Sequence, residues 1–289
     1  MKIKNHLLYH DNNERVEWQE TPNKNGHLKE QKPRYIIMHY TGGSNIQSAI
    51  NTFKNRQAQA SAHLIIGQDG RIVQMGRFHE RCWHAGVSEW QGLRGLNSYS
   101  VGIELVNWGW LSGSAGNWRS WAGTRVADEN VVEMAHKNEG IRRGWESFAE
   151  AQMEKTVEVV RAILSTYHLK TCDVLGHDDI SPARKQDPGP AFAFERFRSL
   201  LEGRQETGDT DLENVIVLSE PRFRITAASG LNLRQGPSIN DAVIKTLPLG
   251  TQVIKLETLG HWWLVSELVN NQANTTGWVY SRWLTPVNS

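Results

Sequence analysis

The stretch YIIMHYTGG, Tyr35 to Gly43, decides the fold. Tyr35 to Met38 is an apolar run bounded by Pro33 on one side and by Gly42 and Gly43 on the other, the pattern of a strand buried on both faces, as in an α/β protein. His39 stands at the end of that strand, and ligands of open α/β sheets gather at strand ends. Beyond it, Ser44 precedes Ile46, Ala49, Ile50 and Phe53 at helical spacing. AHLIIG from Ala62 and RIVQM from Arg71 read as two strands joined by a QDG turn. SYSVGIELVN from Ser98 reads as another, whose pattern sets Glu104 in an apolar setting, and Asp173 to Leu175 as the next, delivering His177 at its end.

A long amphipathic helix is expected from Ser147, because Ser147 and Glu150 have capping-box spacing. Phe148, Met153, Val157, Val160, Leu164 and Tyr167 share one stripe, while Glu154, Lys155, Glu158 and Arg161 take the other face. Phe192 to Leu201 reads as a closing helix. Strands and helices alternating in this way predict an α/β domain over 33–203, with a mixed or mostly parallel central sheet and helices on both faces. Residues 1–32, rich in Asn, Glu and Lys and broken by Pro22, read as an irregular lead-in, and 204–219 as a polar linker. In 220–289 short apolar runs (FRITA, LNLRQGPS, AVIKTLPLGTQVIKLE, HWWLVSEL, TTGWVYSRWL) alternate with turn residues and predict a small all-β barrel of five or six strands.

The chain has 289 residues and a net charge of +1, so no basic excess argues for nucleic acid or an anionic membrane surface. No run approaches the roughly 18 apolar residues of a membrane span. The N-terminus turns polar after Lys2 and Lys4, before any stretch able to serve as a signal-peptide core. Cys82 and Cys172 are too few for a disulfide framework and read as buried or neutral thiols. Of the 12 Trp, Trp263 and Trp278 fall in strand patterns and are expected to fill a small core. The Trp108 to Trp121 stretch, interleaved with Gly109, Gly113, Gly116 and Gly123, reads as a surface loop bordering a cleft.

A second stretch, GHDDISPARKQDPGP from Gly176 to Pro190, places His177 and Asp187 on either side of a loop that can fold back and aim both at one point. With His39 they offer two imidazoles and a carboxylate, which leave the fourth position of a zinc ion open for water. The metal lowers that water's pKa from about 15.7 towards roughly 7, so the trio reads as a hydrolase site. There is no HExxH helix, no GxSxG elbow and no GxxxxGK[ST] loop. Cys82 near His84 lacks an orienting third group for thiol catalysis.

From about Arg34 to Leu200 the chain resembles the zinc-dependent N-acetylmuramoyl-L-alanine amidases that share a fold with peptidoglycan recognition proteins. YIIMHYTGG, ASAHLIIGQDGRIVQ, CWHAGVS, NSYSVGIELVN and VLGHDDISPARKQDPGPAF run in that family's order. Arg222 to Pro286 resembles bacterial SH3-like cell-wall-binding modules through LNLRQGPS, LPLGTQV, the Trp262/Trp263 pair and TGWVYSRWL. The resemblance implies one zinc ion on His39, His177 and Asp187, Glu104 as general base and acid, and Lys185 as the cation beside the oxyanion. It sets Trp83 and His84 on a cleft wall near the peptide stem.

Duller readings stand beside these. His39 alone would be a structural histidine and Lys185 a solvated surface cation. Glu104 would be a salt-bridge partner, although an unpaired carboxylate in a buried strand is costly. His63, in an apolar strand, suits a core or supporting role as well as substrate contact, and Asp178 and Asp179 suit turn capping. The implied activity is hydrolysis of the amide between N-acetylmuramic acid and L-alanine of peptidoglycan, in the periplasm or outside the cell. The route there would be an endolysin's, a secretion-system effector's, or that of a protein whose leader is removed. The alternatives are a non-catalytic muropeptide-binding protein and an amidase acting on soluble muropeptides in recycling. The complete metal set, with Glu104 and Lys185, favours catalysis, and the wall-binding-like tail favours the polymer.

Overall fold

The computed structural model describes residues 1–202, 222–259, 262–269 and 272–287. The expected linker, 204–219, lies outside the described residues. Six strands form the main sheet: β1 (Glu17–Trp18), β2 (Tyr35–Tyr40), β3 (Leu64–Ile66), β4 (Ile72–Gln74), β5 (Ser100–Leu105) and β6 (Val174–Gly176), in the order β6-β2-β5-β3-β4-β1. β6, β2, β5 and β3 are parallel, β4 returns antiparallel to β3 across the QDG turn, and β1 pairs parallel with β4. The sheet is mixed and mostly parallel, as the alternation of strand and helix patterns predicts.

Successive strand residues point to opposite faces, and the two faces are covered differently. Ile36, Met38, Val101, Ile103, Leu105, Leu64, Ile66 and Val174 pack against Val157, Val159, Val160 and Ile163 of a long helix and against Phe197 and Leu201 near the chain's closing helix. Burial of each such Val, Leu or Ile contributes about 1.5–3 kcal/mol. On the other face Ile65 and Val73 pack on Ile50 and Phe53 of α1 (Ile46–Lys54). Beyond α1 that face carries Ile37 and Leu175 packed with Ala85, Leu96 and Ile180, and here the functional side chains emerge.

The helix starts differ from the sequence expectation. Asn45, not Ser44, caps α1, its side chain accepting from the N–H of Gln47 at 2.8 Å and of Ser48 at 3.2 Å. The long helix α2 spans Glu150–Tyr167 and has no side-chain cap. Ser147 forms no capping box, because its N–H donates to Asn130 and its carbonyl accepts from Asn107 Nδ2, which hold it in an extended link. The chain makes one helical turn, α3, at His177–Ile180, and the closing helix α4 runs Phe194–Leu201.

Residues 1–32 are not irregular. Lys2–Lys4 pairs with Leu7–Tyr9, β1 lies at the sheet edge, and Lys24–His27 pairs with Glu80–Cys82. Leu7, Leu8 and Val16 are buried. These strands are too short for a period of two to show in sequence. The Trp- and Gly-rich segment also departs from a simple surface loop. Trp110–Leu111, Val131–Ala135 and Arg142–Glu146 make a three-stranded sheet, Trp118–Arg119 pairs with Arg125–Val126, and Leu111, Trp118 and Val126 form a core of their own. Trp121 stays exposed, its Nε1 donating to the Gly42 carbonyl at 2.7 Å, at the lip of the cleft described below. Both cysteines are free: burial pushes the Cys82 thiol up to about 12, and Cys172 is exposed.

The chain divides into two compact units, Met1–Gln205 and Glu206–Ser289. In the second, the described residues form seven antiparallel strands of a half-barrel in the order Val243–Leu247, Leu231–Arg234, Gln272–Tyr280, Trp262–Val269, Gln252–Leu259, Arg222–Ile225, Leu284–Pro286. Phe223, Ile225, Leu231, Leu233, Leu247, Val253, Val265 and Val279 fill it. Trp263 packs on the edge of that core against Phe223, while Trp278 is only half-buried and lies outside it. No helix among the described residues is long and apolar enough to cross a membrane.

Candidate active site

His39 is the penultimate residue of β2, and Glu104 is its register partner on β5, so both side chains leave the sheet on the face away from α2. β6 ends at Gly176, opposite Met38, and the chain turns into α3 there, which sets His177 beside His39. Asp179 Oδ2 accepts from the Gly176 N–H at 2.7 Å and caps that turn. The Asp178 N–H donates to the Asp187 carbonyl at 2.8 Å, closing the loop so that Asp187 returns to His177. Asp187 Oδ2 lies 2.8 Å from His39 Nδ1 and 2.9 Å from His177 Nδ1, and the two nitrogens are 3.0 Å apart. All three residues are buried, and among the described residues they are the group whose donor atoms converge closely enough to hold a metal ion.

The chemistry of these donors fits a cation. His177 Nε2 faces the Ala85 carbonyl at 3.1 Å, and a carbonyl only accepts, so Nε2 carries the proton and Nδ1 a lone pair. Arg184 Nη2 also sits 3.4 Å from that nitrogen, but its two hydrogens go to the Ala85 and Val87 carbonyls at 2.9 and 3.0 Å. The His177 lone pair therefore meets a carboxylate oxygen, an acceptor against an acceptor, which a bound cation resolves. Burial, then the neighbouring His177, lowers His39 from 6.5 to about 4, so this imidazole is neutral. Two imidazoles and a carboxylate are a zinc-type ligand set with room for a further ligand.

Glu104 has one carboxyl oxygen, Oε2, buried without a hydrogen-bond partner. Burial, then the charge of Asp187, raises the Glu104 carboxyl well above its ordinary value, and Lys185 opposes that rise. A carboxyl held in this way is suited to exchanging protons near neutrality. His39, His177, Asp187, Glu104, Lys185, Trp83 and His84 all border one cleft of about 410 Å³, together with Thr41 and Gly42.

His63 is not among the residues bordering it. Fully buried, it accepts the Gly102 N–H at Nδ1 (3.0 Å) and donates from Nε2 to the Glu80 carbonyl (2.9 Å), which makes it part of the support beneath the cleft wall. Asp178 is more than a turn cap: its buried carboxylate accepts from His136 Nε2 at 3.1 Å and pairs with Lys137 at 2.9 Å. His136 stacks on Trp145, and a Cβ at Gly189 would come within 2.6 Å of that indole. The inserted sheet thus braces the loop that carries His177 and Asp187. Sequence patterns do not single out His136, Lys137, Arg184 or Asn97, because each acts through a partner at least seven residues away.

The fold and the convergent His-His-Asp group define the class. Residues 29–190, more than half of the chain, match the family described as N-acetylmuramoyl-L-alanine amidase, and the chain belongs to that family. Residues 229–285 match the bacterial SH3 domain. The chain is similar to the 1,6-anhydro-N-acetylmuramyl-L-alanine amidase AmpD of Escherichia coli (strain K12), 35% identical over 143 residues that cover 50% of this chain and 59% of AmpD. It is also similar to the N-acetylmuramoyl-L-alanine amidase AmiD of the same organism, 29% identical over 171 residues, 57% of this chain and 51% of AmiD. The chain thus spans between half and three fifths of the length of these curated relatives. A crystal structure of a Se-Met AmpD derivative shares the fold, with a TM-score of 0.50 at 24% identity over 70% of this chain and 99% of that one.

Proposed function

We propose that the protein is a zinc-dependent N-acetylmuramoyl-L-alanine amidase that cleaves the amide between N-acetylmuramic acid and L-alanine in peptidoglycan, and that its SH3-type unit holds the wall polymer. The observation that carries the proposal is the convergence of His39, His177 and Asp187 beside the unpartnered carboxyl oxygen of Glu104. His39, His177 and Asp187 would hold one zinc ion, which would supply Lewis acidity to the scissile carbonyl and to a water molecule. Glu104 takes the attacking water's proton and delivers it to the nitrogen of the departing L-alanine. Lys185, at the cleft edge, places its ammonium where the carbonyl oxygen gains negative charge. Trp83 and the cleft wall below it bound the peptide stem.

A non-catalytic binding protein has no use for a buried carboxyl with an unpaired oxygen, which lowers stability unless chemistry requires it. An amidase of soluble muropeptides has no use for an SH3-type unit. The test is digestion of purified sacculi followed by mass spectrometry. New L-alanine amino termini with intact glycan strands are expected, lost in chelator and restored by zinc. Full activity in chelator, or cleavage elsewhere in the stem or the glycan, would sink the proposal.

A further inference from the structure

We infer that the dipeptide His84-Ala85 sets the tautomers of both imidazole ligands, so that His84 is a positioning residue for the metal and not a substrate contact. This rests on the metal reading of the site proposed above. The two residues reach the two histidines by different routes. Ala85 uses its carbonyl, which fixes the proton of His177 on Nε2. His84 uses its ring. His84 Nε2 faces the Ser100 carbonyl at 3.3 Å and so carries the proton, leaving a lone pair on His84 Nδ1. That lone pair lies 3.1 Å from His39 Nε2, which donates to it. With its proton on Nε2, His39 presents Nδ1 as a lone pair, aimed at the point where His177 Nδ1 and Asp187 Oδ2 already converge. The relay from Ser100 through His84 to His39 therefore does for one ligand what Ala85 does for the other.

Three further features hold the clip in place. Asn97 Oδ1 accepts from the backbone N–H groups of both His84 (3.0 Å) and Ala85 (2.7 Å), which fixes the peptide between them. Arg184 Nη2 also donates to the Ala85 carbonyl, at 2.9 Å, and holds it beside His177. Gly102, in the middle of β5, leaves the space that the His84 ring fills: a Cβ there would come within 2.4 Å of His84 Cγ. A glycine in a central strand otherwise weakens the sheet, and this close approach accounts for it. Hydrogen bonds to the far nitrogen of a ligand imidazole fix its orientation, and removing them typically weakens metal affinity 10–100-fold.

The experiment measures the zinc dissociation constant of the full chain by competition with a chromogenic chelator, and the melting temperature of the zinc-free protein. In His84→Leu the acceptor for His39 is gone, and zinc affinity is expected to fall by about 10–100-fold while the zinc-free melting temperature is retained. In His84→Asn, the amide oxygen stands near the place of Nδ1 and affinity is expected to stay close to wild type, well above that of His84→Leu. Gly102→Ala displaces the ring with residue 84 unaltered and is expected to reproduce the loss seen in His84→Leu. Wild-type zinc affinity in His84→Leu with a raised KM would assign His84 to the substrate and overturn the inference, as would an Asn variant as weak as the Leu variant. A wild-type chain that binds no zinc overturns the metal reading itself. Tight zinc binding lost through His84 with no cleavage of sacculi supports the inference and counts against the proposed activity alone.

Discussion

His39 and Glu104 are register partners on adjacent parallel strands, so the backbone ladder of β2 and β5 fixes an imidazole and a carboxyl side by side on one face of the sheet. Neighbouring strands lie about 4.8 Å apart, and no loop intervenes to blur that spacing. The residues on either side along the strands, Met38, Ile103 and Leu105, point into the core under α2, which locks the register. The third and fourth groups arrive from the loop after β6. The strands thus supply the rigid half of the site and the braced loop supplies the rest.

Glu104→Gln keeps the shape and removes the titrating group. Turnover on sacculi is expected to fall by about 10²–10⁴-fold, with zinc content by elemental analysis unchanged, because Glu104 is not one of the converging donors. The melting temperature is expected to hold or rise, since the substitution relieves a buried carboxyl with an unpartnered oxygen. A wild-type rate in this variant would remove Glu104 from proton transfer.

His63 predicts an acid limb to the stability curve. Burial lowers it from 6.5 to about 4, with the hydrogen bond to the Glu80 carbonyl opposing. Between pH 6.5 and 4 the unfolded chain binds a proton that the folded chain does not, so stability falls as pH drops through that window. The His63 share reaches about 3 kcal/mol at its lower end. His63→Gln keeps an amide donor and acceptor without titrating. Urea unfolding of the variant is expected to show a shallower pH slope over that window, and an unchanged slope would contradict the burial argument.

How much of this was legible in sequence follows from where each signal lives. The strand YIIMHY, the GHDDISPARKQDPGP loop and Glu104 in SVGIEL are local patterns, and the structure brings His39, His177, Asp187, Glu104 and Lys185 to one cleft. His63 looked open to substrate because a polar residue in an apolar strand marks burial without saying which partners satisfy it. The lead-in strands leave no trace in the sequence because two to four residues cannot display a period. The α2 cap was misplaced because Ser147 is claimed by Asn107 and Asn130, residues no local motif connects to it. Trp145 and His136 gave no signal at all, since their role is contact with a loop over 40 residues downstream.

Deleting the SH3-type unit tests how the activity is delivered. The core of that unit is built from its own residues, Phe223 to Val279, and the four clusters of the first unit draw on none of them. A chain of residues 1–205 is therefore expected to cleave a soluble muramyl peptide at the full-length rate and to be retained less by pelleted sacculi. Equal retention would assign wall binding to the amidase unit.

Asp178→Ala probes the brace behind the ligand loop. The Asp178 carboxylate holds His136, whose side chain is 1% exposed, and Lys137, whose side chain is 45% exposed. Removing a partner from a buried ionic group costs about 3–5 kcal/mol, and the solvent around Lys137 places this case near the lower figure. The loss is expected in the melting temperature of the zinc-free protein. A second effect follows from position, because Asp178 adjoins His177 and its N–H closes the loop on the Asp187 carbonyl. With the side chain unanchored, zinc affinity is expected to fall as well, and Lys137→Ala, which leaves the His136 contact, is expected to cost less in both measurements. Wild-type stability in Asp178→Ala would mean that the inserted sheet merely lies against the loop, and that the metal ligands are held by β2 and β6 alone.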